Sequence, residues 1–154
     1  MTETKRKSNE NISCITISNI ANTDNMKYIT ESCYLQKNYL KIICFDEKWS
    51  YIKKIYWIYE YLKECDDEII IFTDAYDVFY LKNSNDIKRK FIKMKTDILW
   101  SSEKWYSHQL YKDKQFYEIM SKGDYKFLNV GGVIGYTKKL LEFYKDLIDN
   151  IENN

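Results

Sequence analysis

The sequence predicts an α/β protein built on a mostly parallel sheet flanked by helices. Three observations carry that expectation. Short β-branched runs alternate with segments whose apolar residues recur every three or four positions, the signature of strand–helix–strand units. The strand runs are apolar almost throughout, as in strands covered on both faces. The chain has 154 residues, 45% apolar and 31% charged, which suits one hydrophobic core and a globular rather than disordered protein.

Residues 1–10 are polar and charged and read as a disordered lead-in to one domain over 11–154. Residues 11–19 (NISCITISN) are a β-branched run, the first strand. Over 24–37, Met26, Ile29 and Cys33 fall at helical spacing. Residues 40–45 (LKIICF) give the second strand, and 50–65 the clearest helix, with Ile52, Ile55, Ile58, Tyr59 and Leu62 in phase and Ser50 as its N-cap. Residues 68–73 (EIIIFT) form the third and most apolar strand. A short helix over 85–95, a strand over 97–101 (DILWS) and a helix over 111–120 follow. Residues 127–136 contain LNVGGVIGY, a turn into a fifth strand, and 137–151 close the chain as an amphipathic helix.

The charges nearly cancel, 24 basic against 23 acidic, so no overall electrostatic attraction to nucleic acid or anionic membrane exists. A charged ligand must be held locally. The basic stretch 88–95 (KRKFIKMK) reads as an exposed helix face with Phe91, Ile92 and Met94 partly inward. The four cysteines, at 14, 33, 44 and 65, form no CxxC arrangement, and Cys14 and Cys44 sit in strand runs, so buried reduced thiols are expected. The first ten residues lack the apolar core of a secretory signal, and no run reaches the ~18 to 20 apolar residues of a membrane span. The chain as written reads as cytoplasmic.

Ligands of such sheets bind beyond the carboxyl ends of the strands. There, directly after the apolar third strand, stands Asp74-Ala75-Tyr76-Asp77. Two carboxylates three residues apart, where the chain turns, suit a hard divalent cation that keeps positions open for phosphate oxygens. An isolated DxxD is equally at home in a solvated turn, since Asp hydrogen-bonds its own backbone there. The flanking residues, apolar on both sides (IIIFTDAYDVFYL), tilt the reading: carboxylates set among buried backbone are costly without a compensating cation.

The segment DEIIIFTDAYDVFYL resembles the metal-binding segment of the glycosyltransferase domain of procollagen lysyl hydroxylases and related collagen glycosyltransferases. The likeness continues in the same order on both sides, over roughly residues 12–148. CITISN is similar to the family's first strand, Trp49 and the helix KIYWIYEYLK to its loop and helix near the donor, ILWSSEKWY to its strand ending in Ser-Ala-Glu, and YKFLNVGGVIGYTKKL to its Leu-Asn-Ser-Gly-Gly segment.

The resemblance implies a GT-A (Rossmann-like) fold that binds a UDP-sugar through Mn²⁺ or Mg²⁺ and transfers the sugar to a hydroxyl acceptor such as a collagen-like hydroxylysine or a glycan. Asp74 and Asp77 match the metal ligands, and Tyr76 an aromatic that packs on the uridine. Thr16 and Ser18 match nucleotide contacts of the first strand. Trp49 and Lys54 fall near the diphosphate and sugar. Gly131 and Gly132, in the GGxxG stretch with Gly135, read as a glycine turn that lets backbone approach the donor, or as a plain tight turn. Asn129 reads as a partner for a sugar hydroxyl or a turn cap. Glu103 is a candidate for positioning the acceptor, or a surface glutamate. Asn129 and Glu103 are thereby the candidate catalytic residues; the base is not assigned.

Three departures from the family stand out. Val130 replaces the serine after the Leu-Asn pair, and Ser102 the alanine before Glu103. The family's later acidic cluster and metal-binding histidine have no counterpart among the matched segments, so a partial domain with a weak cation site is expected. The lone His108 lies far upstream and reads as a loop residue. The alternative is a truncated, non-catalytic relative that binds only nucleotide or a protein partner. A phosphohydrolase with the first aspartate as nucleophile fits less well, since those enzymes place the pair after the first strand. No GxxxxGK[ST] phosphate loop is present.

Overall fold

Among the described residues, five strands and five helices alternate strictly: β1 (Ile12–Asn19), α1 (Lys27–Leu35), β2 (Leu40–Phe45), α2 (Tyr51–Lys63), β3 (Ile69–Thr73), α3 (Ser84–Lys93), β4 (Ile98–Glu103), α4 (Tyr111–Met120), β5 (Phe127–Tyr136) and α5 (Thr137–Glu152). The structure, a computed structural model, describes residues 12–19, 24–106 and 111–153, apart from the side chains of 111–113. The expected lead-in 1–10 and His108 lie outside the described residues.

The strands form one sheet in the order β2-β1-β3-β5-β4. β1 pairs in parallel with β2 and β3, while β5 runs antiparallel to β3 and β4. Four strands therefore point one way and β5 alone opposes them, which is the mostly parallel sheet expected from the alternating pattern.

Side-chain alternation explains why the strands are apolar almost throughout. Even positions of β1 and odd positions of β3 (Ile12, Cys14, Ile69, Ile71) pack with Met26, Ile29 and Cys33 of the α1 region and Phe91 of α3. Their alternates (Ile15, Ile17, Ile70, Phe72) pack with Ile58 and Leu62 of α2 and Leu140, Tyr144 of α5. Each strand thus serves two cores. Met26, Ile29, Cys33, Ile58 and Leu62 are buried where the helical spacing puts them, while Ile52, in phase with the last two, is exposed near the start of α2.

Local signals differ in three places. Ser50 precedes α2 in extended geometry, but its side chain makes no capping bond. The capping instead appears at α3, where Asn83 accepts the Asp86 N–H at 2.9 Å and the helix starts at Ser84, one residue before the expected start. Cys44, expected to be buried, is exposed, because β2 is an edge strand and only half covered. The glycine stretch, expected to be a turn, lies inside the continuous strand β5, and none of the glycines has positive φ.

Cys33, packed in the core beside Cys14, is pushed up from its ordinary 9.0 to about 12 by burial first and by Cys14 second. Burial also drives the phenols of Tyr80 and Tyr144 upward. In the unfolded chain these groups release protons earlier, so the fold keeps full stability below about pH 9 and loses it as pH rises towards 12. Urea midpoints at pH 8 and pH 11 test this, the lower midpoint being expected at pH 11. At pH 8 a thiol reagent should modify Cys44 in the folded protein, and Cys14 and Cys33 only after denaturation.

Candidate functional site

β3 delivers the acidic pair. Its last residue, Thr73, pairs with Gly132 of β5, and the ladder runs one step further: the Asp74 N–H donates to the Gly131 carbonyl at 2.7 Å. Beyond this bond the chain turns through Ala75 and Tyr76 to Asp77. Thr16, fully buried in β1, donates its hydroxyl to the Thr73 carbonyl at 2.7 Å and ties the strand end from the other side.

β5 meets the pair with an irregular edge. Trp100 of β4 is paired with Val133, yet the next residue, Ser101, is paired with Asn129, so Val130, Gly131 and Gly132 have no partner on β4. This bulge pushes their backbone towards Asp74. The Ser101 hydroxyl gathers its base, with the Asn129 carbonyl at 2.8 Å, the Asn129 side-chain oxygen at 3.2 Å and the Gly132 carbonyl at 3.1 Å. The same Asn129 oxygen accepts the Gly131 N–H at 2.8 Å. A Cβ on Gly131 would stand 2.5 Å from Asp74 Oδ2 and 2.8 Å from Asn129 Oδ1, so only glycine leaves the carboxylate its place.

Lys54 reaches the pair from α2. Its ammonium, almost wholly buried, lies 2.9 Å from Asp74 Oδ1 and 3.3 Å from the Val130 carbonyl, and 4.8 Å above the Phe72 ring. The compensating charge that the sequence asks for beside Asp74 is supplied, at least in part, by the chain itself. The carboxylate is half exposed and already has a cation. Asp77 is exposed, and no ion pair forms to it among the described residues. Nor do three His, Cys, Asp or Glu side chains gather into a complete metal-ligand set among the described residues.

These groups border one cleft of about 900 Å³, within the range of small-molecule sites. Asp74, Tyr76, Asp77, Lys54, Trp49, Glu103, Asn129 and Gly131 all line it, as the sequence led one to expect for a shared site. Thr16, Ser18 and Gly132 do not line it. Thr16 and Ser18 are buried, by strand alternation, on the face of β1 opposite to that of Ile17, which lines the cleft, and act on the cleft only through their partners. The Ser18 hydroxyl shares a hydrogen bond of 3.0 Å with the Tyr76 hydroxyl, in which either oxygen can be the donor, and lies 3.2 Å from the Asn19 carbonyl. Tyr76 is pinned at its tip while its ring remains 40% exposed.

Of the aromatic flank of the cleft, formed by Phe45, Trp49 and Tyr51, the sequence points to Trp49 alone; Phe45 stacks on Trp57 with ring centres 4.1 Å apart, and Trp49 meets Tyr51 edge-on with ring centres 6.0 Å apart. Leu128 and Val130 add apolar surface opposite. The signal for the flank was the aromatic density of residues 45–57, which in sequence alone is equally a core pattern. Ser101 falls in the segment ILWSSEKWY that the resemblance picks out, but its hydroxyl contacts with Asn129 and Gly132 have no signal in the sequence.

With the cleft described, likeness to known proteins decides the lineage. The family model of the PLOD GT domain, the glycosyltransferase domain of procollagen lysyl hydroxylases, matches residues 8–153. The chain belongs to this family. Procollagen-lysine,2-oxoglutarate 5-dioxygenase 1 of Pongo abelii is 32% identical over 78 residues, 49% of this chain and 10% of that protein. The procollagen-lysine,2-oxoglutarate 5-dioxygenase of Drosophila melanogaster is 36% identical over 89 residues, 56% of this chain and 12% of that protein. The matched stretches thus cover only about a tenth of the length of these curated relatives. Its five-stranded α/β sheet with flanking helices is the GT-A, Rossmann-like arrangement of a PLOD-type glycosyltransferase domain. Among the described residues, no helix is long and apolar enough to cross a membrane.

Two glycines give a matched test of the bulge. Gly131→Ala should lower stability by about 1 to 3 kcal/mol, the cost of overpacking a filled space. Gly123→Ala, whose Cβ would meet nothing nearer than 4.0 Å, should change it by less than about 0.5 kcal/mol. Urea denaturation of both variants reads the difference.

Proposed function

We propose that this PLOD-type domain binds a UDP-sugar with Mn²⁺ or Mg²⁺ in the Asp74–Asp77 cleft and transfers the sugar to a hydroxyl acceptor. The observation that carries the reading is the convergence of Asp74, Tyr76, Asp77, Trp49, Lys54 and Gly131 around one cleft in a chain of this family.

The donor set fits a hard cation. Asp74 and Asp77 are two carboxylates of the kind that Mg²⁺ and Mn²⁺ take alongside waters and substrate phosphates. Gly131 leaves the Oδ2 side of Asp74 free of any Cβ. When bound, such a cation stabilises the charge that develops on a departing nucleoside diphosphate. Asp74 and Asp77 would hold it.

The remaining roles follow from the chain's own groups. The half-exposed ring of Tyr76, fixed at its hydroxyl by Ser18, offers a rigid flat face for the uracil. Lys54, the buried cation of the cleft, pairs with diphosphate oxygens when the donor enters. The backbone of Val130–Gly131, brought forward by the bulge, approaches the donor sugar without side-chain obstruction at Gly131. Asn129 and Glu103 border the same cleft and are placed to bind hydroxyls of donor or acceptor. The relatives' names concern procollagen lysine, so a hydroxylysine-bearing, collagen-like acceptor is the first to try.

Calorimetry with UDP, with and without Mn²⁺, is the direct test. UDP binding should depend on Mn²⁺, and Asp77→Ala should weaken it by about tenfold or more, the loss expected for a metal-linked carboxylate. UDP binding absent in both conditions, or unchanged in Asp77→Ala, would sink the reading. If binding holds but no UDP-sugar is hydrolysed or transferred in the presence of Mn²⁺, the domain is a nucleotide-binding relative without catalysis.

A further inference from the structure

We infer that Lys54 is the built-in counter-cation of Asp74, so that the cleft takes up a divalent cation together with the nucleotide diphosphate rather than before it. The inference rests on the reading of Asp74 and Asp77 as cation ligands and concerns the order in which that site is assembled.

The geometry is specific. Lys54 stands one turn into α2, and its ammonium is carried out of solvent to a point 2.9 Å from Asp74 Oδ1. The Lys54 side chain is 9% exposed, against 46% for that of Asp74. A lysine ordinarily extends its charge into water, because an unpaired buried ammonium is heavily penalised. Here the Val130 carbonyl at 3.3 Å and the Phe72 ring face at 4.8 Å complete its surroundings. All three partners belong to the site's own frame: β3, the residue after it, and the β5 bulge. The ammonium is therefore held at the carboxylate by construction, unlike the exposed pairs Lys63–Glu60 and Lys139–Glu142 on helix surfaces.

The consequence follows from charge. Two carboxylates alone attract a divalent cation with two negative charges; with Lys54 in place the local sum is one. A cation that enters alone faces the ammonium at close range and must draw Asp74 from it. A nucleotide diphosphate changes both terms. It brings its own oxygen ligands, and it gives Lys54 a second anion, which frees Asp74 Oδ1. Positive coupling between cation and nucleotide is the required result, and by linkage it acts equally in both directions.

The experiment measures Mn²⁺ alone, UDP alone and UDP with Mn²⁺ by calorimetry, on the wild-type chain and on Lys54→Met, Lys54→Gln and Lys54→Arg. Wild type and Lys54→Arg should bind Mn²⁺ alone weakly and much more tightly with UDP present. Lys54→Met should bind Mn²⁺ alone about tenfold more tightly than wild type, the scale of removing one nearby charge, and its coupling to UDP should fall by a similar factor, leaving the part that comes from the diphosphate's own oxygen ligands. Lys54→Gln keeps a hydrogen-bond donor for Asp74 without the charge and serves if the methionine variant does not fold; it should behave as Lys54→Met does. Thermal melts establish that each variant is folded. Folded neutral variants with Mn²⁺ affinity equal to or below wild type, while wild type still binds UDP with Mn²⁺, would overturn the role of Lys54 and leave the donor site standing. Failure of wild type to bind Mn²⁺ even with UDP would overturn both.

Discussion

The site depends on one backbone contact: the Asp74 N–H against the Gly131 carbonyl, at 2.7 Å, with no side chain on Gly131 to hold the carboxylate away. That bond extends the β3–β5 ladder by a residue beyond the strand and sets the position from which the Asp74–Asp77 turn begins. It exists because β5 bulges by three residues against β4 at this level and keeps its register against β3. The Ser101 hydroxyl closes the bulge on one side and Thr16 anchors the end of β3 on the other. Shifting any of these would move the carboxylate and Lys54 together, because Lys54 also bonds the Val130 carbonyl.

The fold was largely legible, because its signals are local. Ten alternating elements follow from periodicity and β-branched runs, and residues such as Ile58, Leu62 and Leu140 are buried where helical spacing puts them. The reversed direction of β5 was not legible, since it is fixed by pairing with β3 and β4, far away in sequence. The glycines of β5 read as a turn because the groups they make room for, Asp74 at Gly131, Ser101 at Gly132, and Asp97 and Leu140 at Gly135, are remote from them in sequence or face them only once the sheet has formed. Cys44 was misread because edge position is a property of the sheet and not of the strand.

The candidate site was legible in its members more than in its wiring. Asp74, Tyr76, Asp77, Trp49, Lys54, Glu103, Asn129 and Gly131 border one cleft. Thr16 and Ser18 belong to the layer beneath it, a distinction set by which face of β1 each occupies. The Lys54–Asp74 pair, joining a helix to a strand end, has no signature in either segment alone. It also explains how a chain with a formal net charge of only +1 builds a strongly charged centre: the charges are concentrated, and opposed, at one strand end. Val130 adds an exposed apolar surface to the lining of the same cleft.

A crystal structure of the chain grown with UDP and Mn²⁺ tests the central claim most directly. The account predicts a metal ion bound by the Asp74 and Asp77 carboxylates, the uracil against the Tyr76 ring, and Lys54 turned from Asp74 to the diphosphate. A nucleotide bound elsewhere, or bound in this cleft with no metal contact to either carboxylate, would contradict it.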